Sequence, residues 1–166
     1  MKNLTRTLAT ALIALMMGLL ATAHAANPKS TIADLDSRLA KIGAAKIDGT
    51  EVVGGKTVPA LFFGARKINN NFDVVDAIRK THQATATVFV RDGDEFVRVS
   101  TNVLTPEGKR GTGTQLARNA AYDAVSKGGQ FCGPIDVLGT AFDACYNPIK
   151  DASGKVIGIS YVGHKM

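Results

Sequence analysis

The chain has 166 residues, a formal net charge of +6 at pH 7, seven phenylalanines, three tyrosines and no tryptophan. Its basic residues never run longer than two, whereas a nucleic-acid-binding surface usually combines a dense basic patch with aromatic side chains for stacking. We therefore expect no nucleic-acid partner, and the mild positive charge favours the approach of small anions.

The first 25 residues have the organisation of a secretory signal peptide. Lys2 and Arg6 precede an apolar run centred on Leu12 to Leu20, and residues 23–25 form an A-x-A cleavage site. The apolar run is shorter than the roughly 18 to 20 residues that span a bilayer, although a retained anchor stays an alternative. Cleavage after position 25 leaves residues 26–166 as a single domain of ordinary size, which we expect to be periplasmic or secreted.

Helical periodicity dominates the beginning of the remaining chain. Thr31 and Asp34 have the spacing of a capping box, which predicts an amphipathic helix over residues 32–44. Its apolar residues recur at helical spacing at Ile32, Leu35, Leu39 and Ile42. This apolar face suits a homodimer seam as well as a lid over the core.

The next segment combines strand and helix signals. Residues 46–66 are rich in glycine and in β-branched side chains, which predicts one or two short strands around a Gly54-Gly55 turn. Residues 69–82 predict a second helix that begins at asparagines suited to capping. Its apolar face consists of Phe72, Val74, Val75 and Ile78.

From residue 84 the apolar side chains alternate, which predicts strands. Residues 85–91 and 95–103 form a hairpin, because Asp92-Gly93-Asp94 places an Asp-Gly turn between β-branched runs. A polar loop then leads to a short helix over residues 116–127, which Gly128-Gly129 ends.

The last part of the chain predicts three strands, at residues 130–137, 141–149 and 155–163. Two strands, a helical connection and three strands are the order of a PAS-like α+β domain. We therefore predict an α+β fold with a PAS-like five-stranded antiparallel sheet, flanked by an N-terminal helix and short helices.

The two cysteines of the chain, Cys132 and Cys145, lie on either side of the Leu138-Gly139 turn. A hairpin centred on that turn places them directly opposite each other. Opposed residues have Cα atoms about 4.5–5.5 Å apart, within the range of a disulfide, and an exported protein meets an oxidising compartment. We therefore predict a Cys132–Cys145 disulfide. Three other interpretations of the cysteines are weaker. A metal site or a cysteine nucleophile would need nearby ligands or a base, and only His82 and His164 remain as histidines. A redox couple would need a C-x-x-C motif, which is absent.

Arg98 is the first candidate for a ligand-binding residue, because it interrupts the otherwise apolar strand FVRVST. A guanidinium there suits a bidentate contact with a carboxylate ligand or with an internal acid. Strict alternation puts Ser100 on the face of Arg98 and Thr101 on the opposite face. Each hydroxyl is a candidate ligand contact or a structural group.

Four further candidates follow from the second half of the chain. Alternation in the 130–149 hairpin puts Tyr146 and Phe142 on the face opposite the cysteines, which has the composition of a core or pocket wall. The Tyr146 phenol is suited to donate a hydrogen bond to a ligand carboxylate. Arg118 and Tyr122 lie near the short helix that would cover such a pocket. We predict no catalytic residue, no metal site and no cofactor.

A series of short segments between residues 69 and 163 occurs in the order and spacing of one family. They are NNNFDVVDAI, TVFVRDGDEFVRVSTNV, GTGTQL, the Gly133-Pro134 pair with Gly139, YNPIKDASGKVIG and the closing Tyr161-Val162-Gly163. In these segments the chain resembles the sensory Cache domains of bacterial chemoreceptors and sensor kinases, especially the single Cache 2 and Cache 3 types.

The resemblance implies a non-catalytic, extracytoplasmic sensor that binds a small molecule, often a short carboxylate such as pyruvate, acetate or propionate. Most relatives continue through a membrane helix into a signalling module, whereas the last predicted strand here ends three residues before Met166. We therefore expect a separate signalling partner, a membrane receptor or sensor kinase. Two alternatives stay open: an accessory protein that docks on a receptor with a degenerate pocket, and an enzyme acting on a small organic acid.

Overall fold

The computed structural model describes residues 27–166, so the predicted leader and its cleavage site lie outside the described residues. No helix in the described range has the length and apolar character needed to cross a membrane. The elements in chain order are α1 (Pro28–Ile42), β1 (Ala45–Val53), β2 (Lys56–Phe63), β3 (Arg66–Lys67), α2 (Asp73–His82), β4 (Thr85–Asp92), β5 (Glu95–Thr101), α3 (Ala120–Ser126), β6 (Phe131–Val137), β7 (Thr140–Lys150) and β8 (Val156–Lys165).

The main sheet has five antiparallel strands in the order β5-β4-β8-β7-β6, and a smaller sheet has the order β1-β2-β3. Consecutive strands are joined by short hairpins at β4–β5, β6–β7 and β7–β8, while the chain crosses from β5 to β6 through α3. This arrangement confirms the predicted α+β, PAS-like fold.

The two faces of the main sheet carry different layers. Helices α1 and α2 and the smaller sheet cover one face, here called the helix face, where Leu35 and Val75 pack against strand residues such as Val88. Helix α3 and the loop of residues 102–119 cover the other, here called the loop face, where Leu116 and Val125 are buried. The apolar side chains of α1 are buried in the helix-face core, so this helix serves as a lid over the sheet.

Helix α1 begins four residues earlier than the capping-box pattern indicates. Asn27 is the N-cap, and its Oδ1 accepts hydrogen bonds from the backbone N–H groups of Lys29 (3.0 Å) and Ser30 (3.4 Å). Pro28 follows at the first helical position, where its fixed φ favours helix initiation. Thr31 therefore lies inside the helix, and the predicted capping box is wrong.

Helix α3 is shorter than predicted because Asn119 caps it. The Asn119 Oδ1 accepts from the N–H groups of Ala121 (3.1 Å) and Tyr122 (3.2 Å). Leu116, predicted to be helical, is instead in an extended segment, and its N–H donates to the Phe96 carbonyl at 2.9 Å.

The β6–β7 hairpin has the predicted register. Leu138 (φ 53°) and Gly139 (φ 82°) both have positive φ, as a two-residue type I′ turn requires. Cys132 is directly opposite Cys145, and the two form a disulfide with Cα atoms 4.1 Å apart. The predicted disulfide is confirmed, and it lies on the helix face.

Candidate functional site

The register between β4 and β5 sets which side chains reach the loop face. Phe89 pairs with Arg98, but Val88 pairs with Ser100, so Val99 is an extra residue on β5. Such a β-bulge reverses the alternation beyond it. The Ser100 hydroxyl therefore donates to the Asn71 carbonyl at 2.6 Å on the helix face.

The same bulge turns the Thr101 side chain to the loop face. Its Oγ1 lies 2.6 Å from Oγ1 of Thr87, which is on the loop face with Phe89. The expectation that Ser100 shares the face of Arg98 and that Thr101 does not is therefore wrong: Thr101 shares that face.

Arg98 is buried on the loop face and has no acidic partner among residues 27–166. The residue is 3% exposed, and its guanidinium carbon is 4.9 Å from the centroid of the Phe89 ring. Nη1 donates to Thr114 Oγ1 and to the Gln115 carbonyl, both at 2.9 Å. Nε is buried with no hydrogen-bond partner, and within residues 27–166 no carboxylate forms an ion pair with this side chain. Burial lowers the pKa of Arg98.

Tyr146 and Tyr161 are cross-strand partners on β7 and β8, each 1% exposed, with ring centroids 4.8 Å apart. The Tyr161 hydroxyl is 3.1 Å from Thr85 Oγ1. It also lies against Gly163, where a Cβ would come within 2.2 Å of it, so glycine makes room for the phenol. Burial raises the pKa of Tyr161 to about 12 and that of Tyr146 well above its usual range. Both phenols are therefore neutral hydrogen-bonding groups beside the Arg98 charge.

We expect these two tyrosines to ionise only as the protein unfolds. Their folded-state pKa values lie above the value of about 10 for an exposed tyrosine, so the stability they contribute is complete below pH 10. It is lost as pH rises from about 10 through the folded-state values. Tyrosinate absorbance and circular dichroism, followed together in a Tyr122→Phe background, should change in one transition. Ionisation of both phenols near pH 10 with the fold intact would contradict this expectation.

The segment of residues 111–118, here called the strap, covers Arg98. It runs along β5, with the Gly113 N–H donating to the Arg98 carbonyl and the Arg98 N–H donating to the Thr114 carbonyl, both at 2.9 Å. Just before the strap, Arg110 makes a bidentate ion pair with Asp76 of α2, with both distances 2.8 Å. The strap is thus fixed to the sheet and to α2, and it closes the site.

A cleft of about 290 Å³ opens at the end of the loop face where β4 begins and β8 ends. Thr85 and Gly163, which both contact the Tyr161 hydroxyl, line it, as do the cationic Arg79 and Lys165. Among the described residues, none of those that line this cleft is acidic. A larger open cleft of about 770 Å³ lies at the opposite end of the sheet. Its lining residues do not include Arg98, Phe89, Tyr146 or Tyr161.

The remaining sequence candidates occupy different places. Phe142 is buried on the loop face beside Gly163. Arg118 and Tyr122 lie at the outer end of the strap, where Arg118 pairs with Glu95 at 2.5 Å and the Tyr122 hydroxyl donates to the Asp94 carbonyl at 2.5 Å. The structure therefore places Arg98, Thr101, Tyr146 and Phe142 on one face. Ser100 lies on the helix face. Arg118 and Tyr122 belong to the layer that covers the loop face, where the Tyr122 ring packs against Phe96 with centroids 5.9 Å apart.

Sequence reasoning missed Tyr161, Thr85 and Phe89. Tyr146 is opposite Tyr161 only because the β7–β8 ladder shifts register between Ile149 and Lys150, next to the turn at residues 151–154. The turn alone therefore gave no signal for Tyr161. Phe89 is opposite Arg98 in the β4–β5 hairpin, so the Asp-Gly turn was a local signal for it. Thr85 required the pairing of β4 with β8, which joins strands distant in the sequence.

These features define the class of the protein as a PAS-like α+β domain, with helices on one sheet face and a buried polar cluster under loops on the other. The family model described as the Cache 3/Cache 2 fusion domain matches residues 3–166, and the chain belongs to this Cache family. No curated protein matches the chain. Cache domains are small-molecule-binding sensory domains, typically extracytoplasmic, that occur in receptors and sensor kinases.

Proposed function

We propose that this protein is a periplasmic, non-catalytic sensor that binds a short organic carboxylate on the loop face and acts with a separate membrane receptor or sensor kinase. In this proposal residues 1–25 are a cleaved signal peptide and residues 26–166 are one ligand-binding domain. The Arg98 guanidinium carries the proposal. It is buried, its Nε has no partner, and no carboxylate within the described residues neutralises it.

An unneutralised buried charge is costly, and a bound anion relieves that cost. A carboxylate is matched in shape and charge to a guanidinium edge, which it contacts through two parallel hydrogen bonds. The neutral phenols of Tyr146 and Tyr161 are suited to donate to the same ligand, while the Phe89 ring offers an apolar contact for a short alkyl chain. A cationic ligand would be repelled by Arg98, so this chemistry favours an anion.

The test is a thermal-shift screen of the purified protein with C2 to C4 monocarboxylates, each paired with its neutral amide. A ligand at 100 times its Kd should add about 2.7 kcal/mol of stability, which corresponds to a rise of several degrees in Tm. The amides should give no shift, because they lack the charge that Arg98 requires.

A flat screen with a well-folded protein would contradict carboxylate binding. It would favour the second candidate function, an accessory protein that docks on a receptor. That candidate is supported by the low exposure of Arg98, Tyr146 and Tyr161, whose own side chains fill the loop face.

A further inference from the structure

Asp36, on the inner side of α1, ties together the two strands that carry the tyrosine pair. Its Oδ1 accepts a hydrogen bond from the Ser160 hydroxyl at 2.5 Å, and its Oδ2 accepts from Nδ2 of Asn147 at 2.6 Å. Ser160 is on β8, Asn147 is on β7, and the two are cross-strand partners. One helix carboxylate therefore bridges two neighbouring strands.

The partners of Asp36 are the chain neighbours of the tyrosines. Tyr146 precedes Asn147 and Tyr161 follows Ser160, and each of the two pairs is in direct register. Because successive side chains of a strand point to opposite faces, the Tyr146–Tyr161 pair reaches the loop face and the Asn147–Ser160 pair reaches the helix face. A change in the spacing of the tyrosines moves the same backbone that presents the donors to Asp36.

The other acidic residue of α1 makes no such contact. Asp34 pairs with Arg38 of the same helix (2.9 Å) and with His82 of α2 (2.8 Å). Ser160 is fully buried, so losing its bond to Asp36 would leave polar groups unsatisfied in the interior, which is costly. The position of α1 and the geometry of the tyrosine pair are thus linked through one short set of hydrogen bonds.

We propose that Asp36 is a positioning residue for the Tyr146–Tyr161 pair, and that α1 is for this reason the element that responds to occupancy of the loop-face site. The response to a ligand rests on the proposed function, but the coupling between helix and tyrosines belongs to the fold and is measurable without a ligand. Such coupling is reciprocal: what loosens the tyrosine pair loosens α1, and the reverse.

The test is a double-mutant cycle read by amide hydrogen exchange of α1. We expect Tyr146→Leu and Asp36→Ala each to speed exchange in this helix. In the Asp36→Ala background, Tyr146→Leu should cause no further increase in the exchange rate of α1. The two effects on the exchange rate are then non-additive, by a factor within the range of about 5- to 150-fold that is typical of coupling between two sites. Asp34→Ala is the matched control on the helix. In the Asp34→Ala background, Tyr146→Leu should speed the exchange of α1 as much as it does in the unmodified protein. If Asp36→Ala prevents folding, Ser160→Ala removes one donor and serves in the same cycle.

Phe96→Leu is the matched control on the sheet, because Phe96 is a buried loop-face aromatic residue on the edge strand β5. It should leave α1 exchange unchanged apart from its effect on global stability. The proposal is overturned if Tyr146→Leu acts equally in the presence and absence of Asp36, if it leaves α1 exchange unchanged, or if Phe96→Leu matches it. None of these outcomes depends on a carboxylate binding, so this proposal and the proposed function fail separately.

Discussion

Replacing Arg98 by methionine is expected to abolish the carboxylate-dependent thermal shift while leaving the ligand-free protein at least as stable. Removing one partner of a buried, hydrogen-bonded charge pair costs about 2–5 kcal/mol of binding, which weakens Kd by at least about thirtyfold. In the free protein the guanidinium has no acid within the described residues, so an apolar side chain of similar length avoids the cost of burying the charge. We expect this gain to offset the loss of the two Arg98 hydrogen bonds to Thr114 and Gln115. Thermal-shift titration and denaturant unfolding measure the two effects.

Arg91→Met is the matched control for this substitution. Arg91 also lies over a loop-face aromatic ring, with its guanidinium carbon 5.6 Å from the Phe96 centroid, but it is partly exposed and its Nε already donates to the Gly93 carbonyl. Replacing Arg91 should leave the carboxylate-dependent rise in Tm unchanged. An unchanged Kd in the Arg98 variant would show that the carboxylate is anchored elsewhere.

Breaking the Cys132–Cys145 disulfide should give the second large effect. Closing a loop of about 14 residues stabilises a protein by roughly 3 kcal/mol in the chain-entropy model. The β6–β7 hairpin already restrains these ends, so we expect a loss of about 2 kcal/mol, or a fall in Tm of about 5–10 °C. The Cys132→Ala, Cys145→Ala double variant measures it by calorimetry.

Reduction of the unmodified protein provides the control, since it breaks the same bond without removing sulfur from the helix-face core. The reduced protein and the double variant should melt within a few degrees of each other. Equal Tm values for the oxidised and reduced protein would mean that the hairpin holds its register without the disulfide.

The parts of the fold that sequence predicted well depend on local chemistry. Leu138-Gly139 sets a two-residue turn, and that turn determines every pairing in the β6–β7 hairpin, including the two cysteines. The Asp-Gly turn likewise located the β4–β5 hairpin. In both places a few neighbouring residues contain the information that defines the strands.

The errors at the site have a non-local cause. The bulge at Val99 exchanged the faces of Ser100 and Thr101, and no residue pattern within β5 marks it. The error at the start of α1 was local instead: Asn27 caps the helix and Pro28 occupies its first position, whereas the prediction placed the cap at Thr31. Arg98 was identified as a candidate because a charge on an apolar strand is visible in the sequence. That no acid within residues 27–166 pairs with it emerges only from the packing of the domain.

Under the proposed function, the closed state of the loop face would limit how fast this protein responds. Arg98 is 3% exposed and bonded to the strap through Thr114 and Gln115, so a ligand would reach the guanidinium only after the strap opens. Loop openings of this kind occur on microsecond to second timescales. The association rate should therefore level off at high ligand concentration, at the opening frequency of the strap. A mobile strap would shorten the response time, and a rigid one would extend the lifetime of the bound state.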